Sequence, residues 1–224
     1  MTFDFDARTA LIPIDVQAAF DLTASSNPAM ESNGLRLLEA WRTARLPLVH
    51  VRHDSIKPGS PFAPGLPGNA LRQGYTPRGD EPLVTKTVNA AFIGTDLDLR
   101  LRRLGIEQVV LFGLTTDMCV STSARMAANL GYRTVVVGDA TACYDLVDAD
   151  GRNVPAADLH RAHLATLHAE FARVTSTAAV VAALTPQHAA RIAWKRRSSA
   201  ILNRRRRTET RKTREPPRWM WRRP

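Results

Sequence analysis

The sequence predicts an α/β fold, a three-layer, doubly wound and mostly parallel sheet. Three observations carry this. Short runs rich in β-branched apolar residues alternate with helical patterns along the chain. Most of these runs are apolar throughout, as strands covered on both faces are. No internal repeat interrupts the alternation, and 224 residues suit one sizeable core.

The elements follow in order. Residues 9–15 (TALIPID) read as a strand ending in a carboxylate, with Pro13 arguing against regular pairing because it has no N–H to give. Asn27 and Pro28 supply a cap and a first-turn proline for a helix that Leu35, Leu37, Leu38 and Trp41 carry to about Arg45. Residues 48–52 form a second strand. Residues 54–82 are rich in Gly and Pro without periodicity, and so long a loop in a domain serves as a lid, a binding wall or an oligomer contact. Residues 83–86 are a third strand. Thr95, with Asp98 three residues on, caps a helix whose apolar stripe is Leu97, Leu101 and Leu104, ended by Gly105. Residues 109–112, bounded by Gly113, are a fourth strand, and a tight turn leads to a helix over 124–130 stopped by Gly131. A fifth strand over 134–138, a long helix over 155–172, a brief pairing at Val174 and a last helix over 178–184 capped by Ser176 complete the reading.

Charge divides the chain into two segments. The net charge is +10, yet 14 of the 31 basic residues and only 2 of the 21 acidic ones lie beyond Leu184. The body over 1–184 is therefore near neutral, and 185–224 is a basic tail holding three of the four tryptophans. Such a tail reads as a disordered extension. A tether to nucleic acid or anionic membrane through Trp219 and Trp221, or an arm docking on a partner subunit, ranks below that reading because no binding module is recognisable in it. No apolar run approaches the ~18–20 residues that span a bilayer, and the N-terminus lacks the basic-then-apolar form of a secretory signal. Two cysteines make no disulfide framework. A cytoplasmic location fits these features.

In open α/β sheets ligands bind at the carboxyl ends of the strands. Three residues capable of chemistry fall at such ends: Asp15, Lys86 and Cys119. Taken singly, each has an ordinary structural reading as a turn carboxylate, a solvated lysine or a packed thiol. Cys119 sits at a strand-to-helix junction, where unpaired N–H groups and the helix dipole favour thiolate. Their joint placement on one sheet edge makes them a candidate active site.

The residues Asp15, Gln17 and Phe20, then Lys86, Asn89 and Phe92, then 113–120 (GLTTDMCV), then Asp139, Ala140 and Thr141 give the chain a likeness. It resembles the isochorismatase-like cysteine hydrolases, which include N-carbamoylsarcosine amidases, ureidoacrylate amidases and nicotinamidases. The resemblance runs over roughly residues 8 to 184 and implies a triad of Asp15, Lys86 and Cys119. It also implies a non-proline cis peptide between Leu114 and Thr115, with the Thr115 and Cys119 N–H groups forming an oxyanion hole. Members that act on isochorismate generally lack the nucleophilic cysteine, so Cys119 favours an amide or ureido-type C–N bond in a small molecule. Gln17, Phe20, Asn89, Phe92, Leu114 and Tyr144 are the candidate pocket residues, with a surface turn ranking ahead of the pocket for Tyr144. Ala90 stands where many relatives have serine. A homo-oligomer, dimer or tetramer, is expected.

No metal or other cofactor is expected. Nicotinamidases hold a divalent ion through Asp-x-His after the second strand, but here Asp54 is followed by Ser55 and Ile56, and His53 with Asp54 gives too few ligands. Nicotinamide is accordingly not the expected substrate. His160 and His163, one turn apart, read as helix-surface residues, and Cys143 as a packed residue ahead of a redox link to Cys119 at the same sheet edge. The alternative to an enzyme is a non-catalytic scaffold whose basic tail binds nucleic acid or membrane.

Overall fold

A computed structural model describes residues 4–184; the basic tail, with every expectation placed on it, lies outside the described residues. Along the chain run β1 (Thr9–Ile14), α1 (Met30–Thr43), β2 (His50–His53), β3 (Leu83–Lys86), α2 (Leu97–Arg103), β4 (Gln108–Leu114) and α3 (Ser121–Asn129). There follow β5 (Arg133–Ala142), β6 (Leu146–Val147), β7 (Asn153–Val154), α4 (Ala156–Thr166), β8 (Arg173–Thr175) and α5 (Thr177–Ala183). Six strands make one wholly parallel sheet in the order β3-β2-β1-β4-β5-β8. Strand order reverses between β1 and β4, which is where such sheets open a crevice. β6 and β7 form a separate antiparallel hairpin that periodicity did not reveal.

The uniform apolarity of the strands has its expected cause. Leu11, Val110, Phe112 and Leu114 point to one face, where Leu37, Leu38 and Trp41 of α1 and Val180 of α5 cover them. Ala10, Ile12, Ile14, Val109 and Leu111 point to the other, against Leu97 and Leu101 of α2 and Ala124 and Ala127 of α3. Pro13 is tolerated in a central strand because its missing N–H falls on the β2 side. The N–H groups of Leu11 and Asp15 reach the Pro47 and Val51 carbonyls on that side, and the ladder is interrupted between them. On the β4 side Pro13 stays in register with Phe112.

Several local expectations are corrected. Asn27 does not cap α1; its side-chain amide donates to the Asp139 and Thr141 carbonyls, tying the segment before α1 to β5. α2 has no side-chain capping box, since Asp98 instead accepts from Tyr132 Oη at 2.6 Å, and Leu104 is exposed. β5 runs to Ala142, four residues beyond the predicted end, passing a bulge opposite Leu111 and Gly113. The long helix over 155–172 is α4 followed by a wider π-helical turn, Leu167–Phe171. Ser176 does cap α5, accepting from Ala179 N–H.

Candidate active site

Four loops at the carboxyl ends of the strands build the site. Asp15, just past β1, holds a left-handed backbone with φ 52°, a conformation that Asp tolerates better than most side chains. Gly113 in β4 has φ 124°, and a Cβ there would overlap the Ile14 carbonyl. Glycine thus lets β4 approach β1 closely where Asp15 begins. After β4 the Leu114–Thr115 peptide is cis, and Thr116–Val120 form a π-helical turn that runs straight into α3. Cys119 lies inside this turn.

Lys86 joins the parts. It ends the edge strand β3 and reaches across the sheet with its side chain wholly buried, Nζ lying 2.6 Å from Asp15 Oδ2. The same nitrogen is 3.4 Å from Cys119 Sγ and 3.2 Å from His53 Nδ1. Apart from Lys86 and the thiol, the Asp15 carboxylate meets no donor among the described residues. Asn89 Oδ1 stands 3.9 Å from Cys119 Sγ.

Burial raises the Asp15 carboxyl to about 6, against the pull of Lys86. The Cys119 thiol is pushed up to about 12, first by burial and then by the Asp15 charge, with Lys86 again opposing. The expectation that the strand-to-helix junction favours thiolate at Cys119 is therefore corrected. One ammonium balances one negative charge, and with Asp15 ionised that charge rests on oxygen. Moving the thiol proton onto Asp15 removes the repulsion that opposes the thiolate and leaves Lys86 facing sulfur. The pair behaves as one site sharing one proton.

The cleft above these groups has a volume of about 740 Å³. Phe20, Asn89, Thr115 and Cys119 line it, as does Ala90. The long loop after β2 supplies one wall with Ser55, Ile56, Lys57, Ser60 and Phe62, and Val88, Ile93 and Met118 add apolar surface opposite. Other pocket candidates lie elsewhere. Gln17 is fully buried, its amide donating to the His53 and Asn69 carbonyls and accepting from His53 N–H. Leu114 shares the strand parity of Phe112 and so points into the core. Phe92 packs in the core on the α2–α3 side, stacked on Tyr132 at 6.1 Å. Tyr144 stacks behind Phe20, with ring centroids 5.8 Å apart, and buttresses the wall from outside the lining.

His53, Lys57, Phe62 and Met118 are site residues that sequence reasoning missed as such. Loop residues carry no period, but the His53–Lys86 contact has a signal in sheet order, since the two residues are register partners in β2 and β3. His160 is half-buried rather than wholly on the surface; its Nδ1 bonds the fully buried Thr116 hydroxyl at 2.9 Å and props the turn from behind. Cys143 is buried, unpaired with Cys119, and donates to Asp117 at 3.3 Å.

The donors after β2 do not fit a metal of the nicotinamidase kind. Asp54 is taken by Arg52 at 2.8 Å and by Asn69 at 2.9 Å, and His53 Nδ1 faces an ammonium. Among the described residues no three His, Cys, Asp or Glu side chains gather to hold an ion. No helix among them is long and apolar enough to cross a membrane.

The Isochorismatase domain matches residues 9–179, spanning every element from β1 into α5. The chain belongs to the isochorismatase family. It is a hydrolase of that family, and its six-stranded parallel sheet with flanking helices is the family's fold. An uncharacterized family protein of Bacillus subtilis is 41% identical over 175 residues, covering 77% of this chain and 94% of the relative. A streptothricin hydrolase of Streptomyces noursei is 37% identical over 176 residues, 76% of this chain and 63% of that enzyme. A crystal structure of a family member from Chromobacterium violaceum superposes with a TM-score of 0.77 at 38% identity, covering 82% of this chain and 96% of that one.

Proposed function

We propose that this family member cleaves a C–N bond, of the amide or ureido type, in a small molecule through a covalent acyl-enzyme on Cys119. The observation that carries the proposal is the contact of one buried ammonium, Lys86, with both Asp15 and Cys119 at the foot of an open, largely apolar cleft. Asp15 takes the thiol proton as sulfur attacks the carbonyl carbon, and Lys86 then pairs with the developing thiolate. The Thr115 and Cys119 N–H groups receive the oxyanion of the tetrahedral intermediate. Asp15 returns its proton to the departing nitrogen, breaking the C–N bond. It next draws a proton from water, which hydrolyses the thioester and restores the thiol.

The elevated Asp15 carboxyl supports this role, because a base with a pKa near 6 is ionised at neutral pH yet basic enough to hold a proton transiently. Relatives named streptothricin hydrolase and nicotinamidase give the reaction class company. Substrates other than nicotinamide are proposed, since the donors after β2 do not match that subgroup's metal site. The test is a screen of primary amides and ureido acids for ammonia release, with mass analysis of quenched enzyme. Turnover by wild type, none by Cys119→Ala, and an acyl mass on the Cys119 peptide are expected. Turnover surviving in Cys119→Ala would refute the covalent scheme.

A further inference from the structure

We propose that His53 is a positioning residue for the reaction, the third acceptor that fixes the Lys86 ammonium between Asp15 and Cys119. The inference rests on the triad reading above and adds to it a residue outside the triad.

An ammonium has three N–H groups and accepts nothing. Lys86 Nζ, on a side chain with no solvent exposure, has three neighbours to serve them: Asp15 Oδ2 at 2.6 Å, His53 Nδ1 at 3.2 Å and Cys119 Sγ at 3.4 Å. With two partners fixed, the direction of the third N–H toward sulfur is set. Remove one, and a flexible four-carbon chain keeps a swivel about the Asp15 contact.

His53 is itself held firmly enough to act as a fixed post. Its backbone N–H donates to Gln17 Oε1 at 2.9 Å, and its carbonyl accepts from Gln17 Nε2 and Asn69 Nδ2, each at 3.0 Å. Because the facing ammonium can only donate, Nδ1 is the acceptor for Lys86, which puts the ring N–H of a neutral imidazole on Nε2. The ring edge also rests on Phe62, with centroids 6.3 Å apart. The buried Gln17 thus acts on the site indirectly, by gripping the backbone of His53.

The chemistry of the acceptor also matters. A carboxylate at this position would be a further anion competing with the thiolate for a single positive charge. A neutral imidazole nitrogen gives Lys86 a bond without claiming that charge. Burial and the facing Lys86 lower the imidazole's proton affinity, as does Lys57 to a lesser degree, while Asp54 opposes them.

The test compares His53→Leu, which deletes the acceptor, with His53→Asn, whose side-chain oxygen can occupy the place of Nδ1. Leu should lower kcat about tenfold to a hundredfold with KM changed less than about threefold, the scale of one bond to a charged group. Asn should recover to within about fivefold of wild type. Iodoacetamide labelling of Cys119 across pH should move to higher pH in Leu and stay in place in Asn. If Leu does not fold, His53→Gln replaces it, because its amide reaches the Nε2 position and leaves Nδ1 empty. Equal loss in the Leu and Asn variants, an unmoved labelling profile, or an effect on KM alone would overturn the proposal. Labelling needs no substrate. A Leu-specific shift beside turnover that survives in Cys119→Ala would therefore refute the covalent scheme while leaving the hold of His53 on Lys86 intact.

Discussion

Asp15→Asn should move two properties of Cys119 in opposite directions. Asp15 and Cys119 both touch Lys86 Nζ, so Oδ2 and Sγ are separated by at most the two contacts laid end to end, about 6 Å. At that distance and an effective dielectric constant near 20, a carboxylate opposes a thiolate by about 3 kcal/mol, or roughly two pKa units. Removing the charge should bring the thiol down from about 12 by about that amount. It also frees Lys86 to pair with sulfur alone. The thiol becomes easier to ionise, yet the proton acceptor for attack and the donor for the leaving nitrogen are gone. Hydrolysis should fall by about 10² to 10⁴. The assay follows iodoacetamide labelling against pH, read on the Cys119 peptide so that Cys143 does not contribute, alongside kcat on any amide found by the screen. A labelling profile that stays put or moves to higher pH would refute the electrostatic account. Retained turnover would refute the role of Asp15 as base.

Further outcomes follow from the same structure. Cys119→Ala should abolish turnover with a thermal midpoint close to wild type, since the thiol is only partly buried and packs at the margin of the core; calorimetry beside the activity assay checks both halves. The pH profile of kcat/KM should show an acid limb with its midpoint near the Asp15 value of about 6, because protonated Asp15 cannot take the thiol proton. The same group titrates lower when unfolded, near 3.8, so the folded state binds the proton more tightly and Asp15 costs stability as pH rises from about 4 to about 6. Denaturant midpoints across that window should lose this contribution in Asp15→Asn. Gly113→Ala should cost about 3 kcal/mol or more, since it adds both a Cβ overlap with the Ile14 carbonyl and a side chain at φ 124°. Gly131→Ala, also at positive φ but with nothing within 4 Å, should cost about 1–2 kcal/mol in the same denaturation experiment.

Read on its own, the chain settles the architecture and the strand ends. Continuous apolar runs such as 109–112 require cover on both faces, and alternation with helical patterns leaves a parallel sheet as the economical solution. Asp15 and Lys86 are legible because a polar group that closes an apolar run has nowhere to go but the carboxyl edge, and Cys119 because it lies in the turn that joins a strand to the next helix at that edge. Their ordered motifs also announce the family, which the match over 9–179 establishes.

Folding in three dimensions was needed for everything that depends on which strand lies beside which. The order β3-β2-β1-β4 sets His53 in register with Lys86 and sends the lysine past β2 to Asp15, and no spacing along the chain encodes that. Pocket membership follows the same logic. Leu114, Phe92 and Gln17 sit within the right motifs, but strand parity, a stacking partner and two waiting carbonyls turn them away from the cleft. The expected pull toward thiolate at Cys119 failed for a related reason. A helix N-terminus is visible in sequence, whereas burial and a carboxylate brought from 104 positions away are not, and those two push the thiol up. Local pattern fixes what each segment becomes; long-range packing decides which groups share a dielectric and a proton.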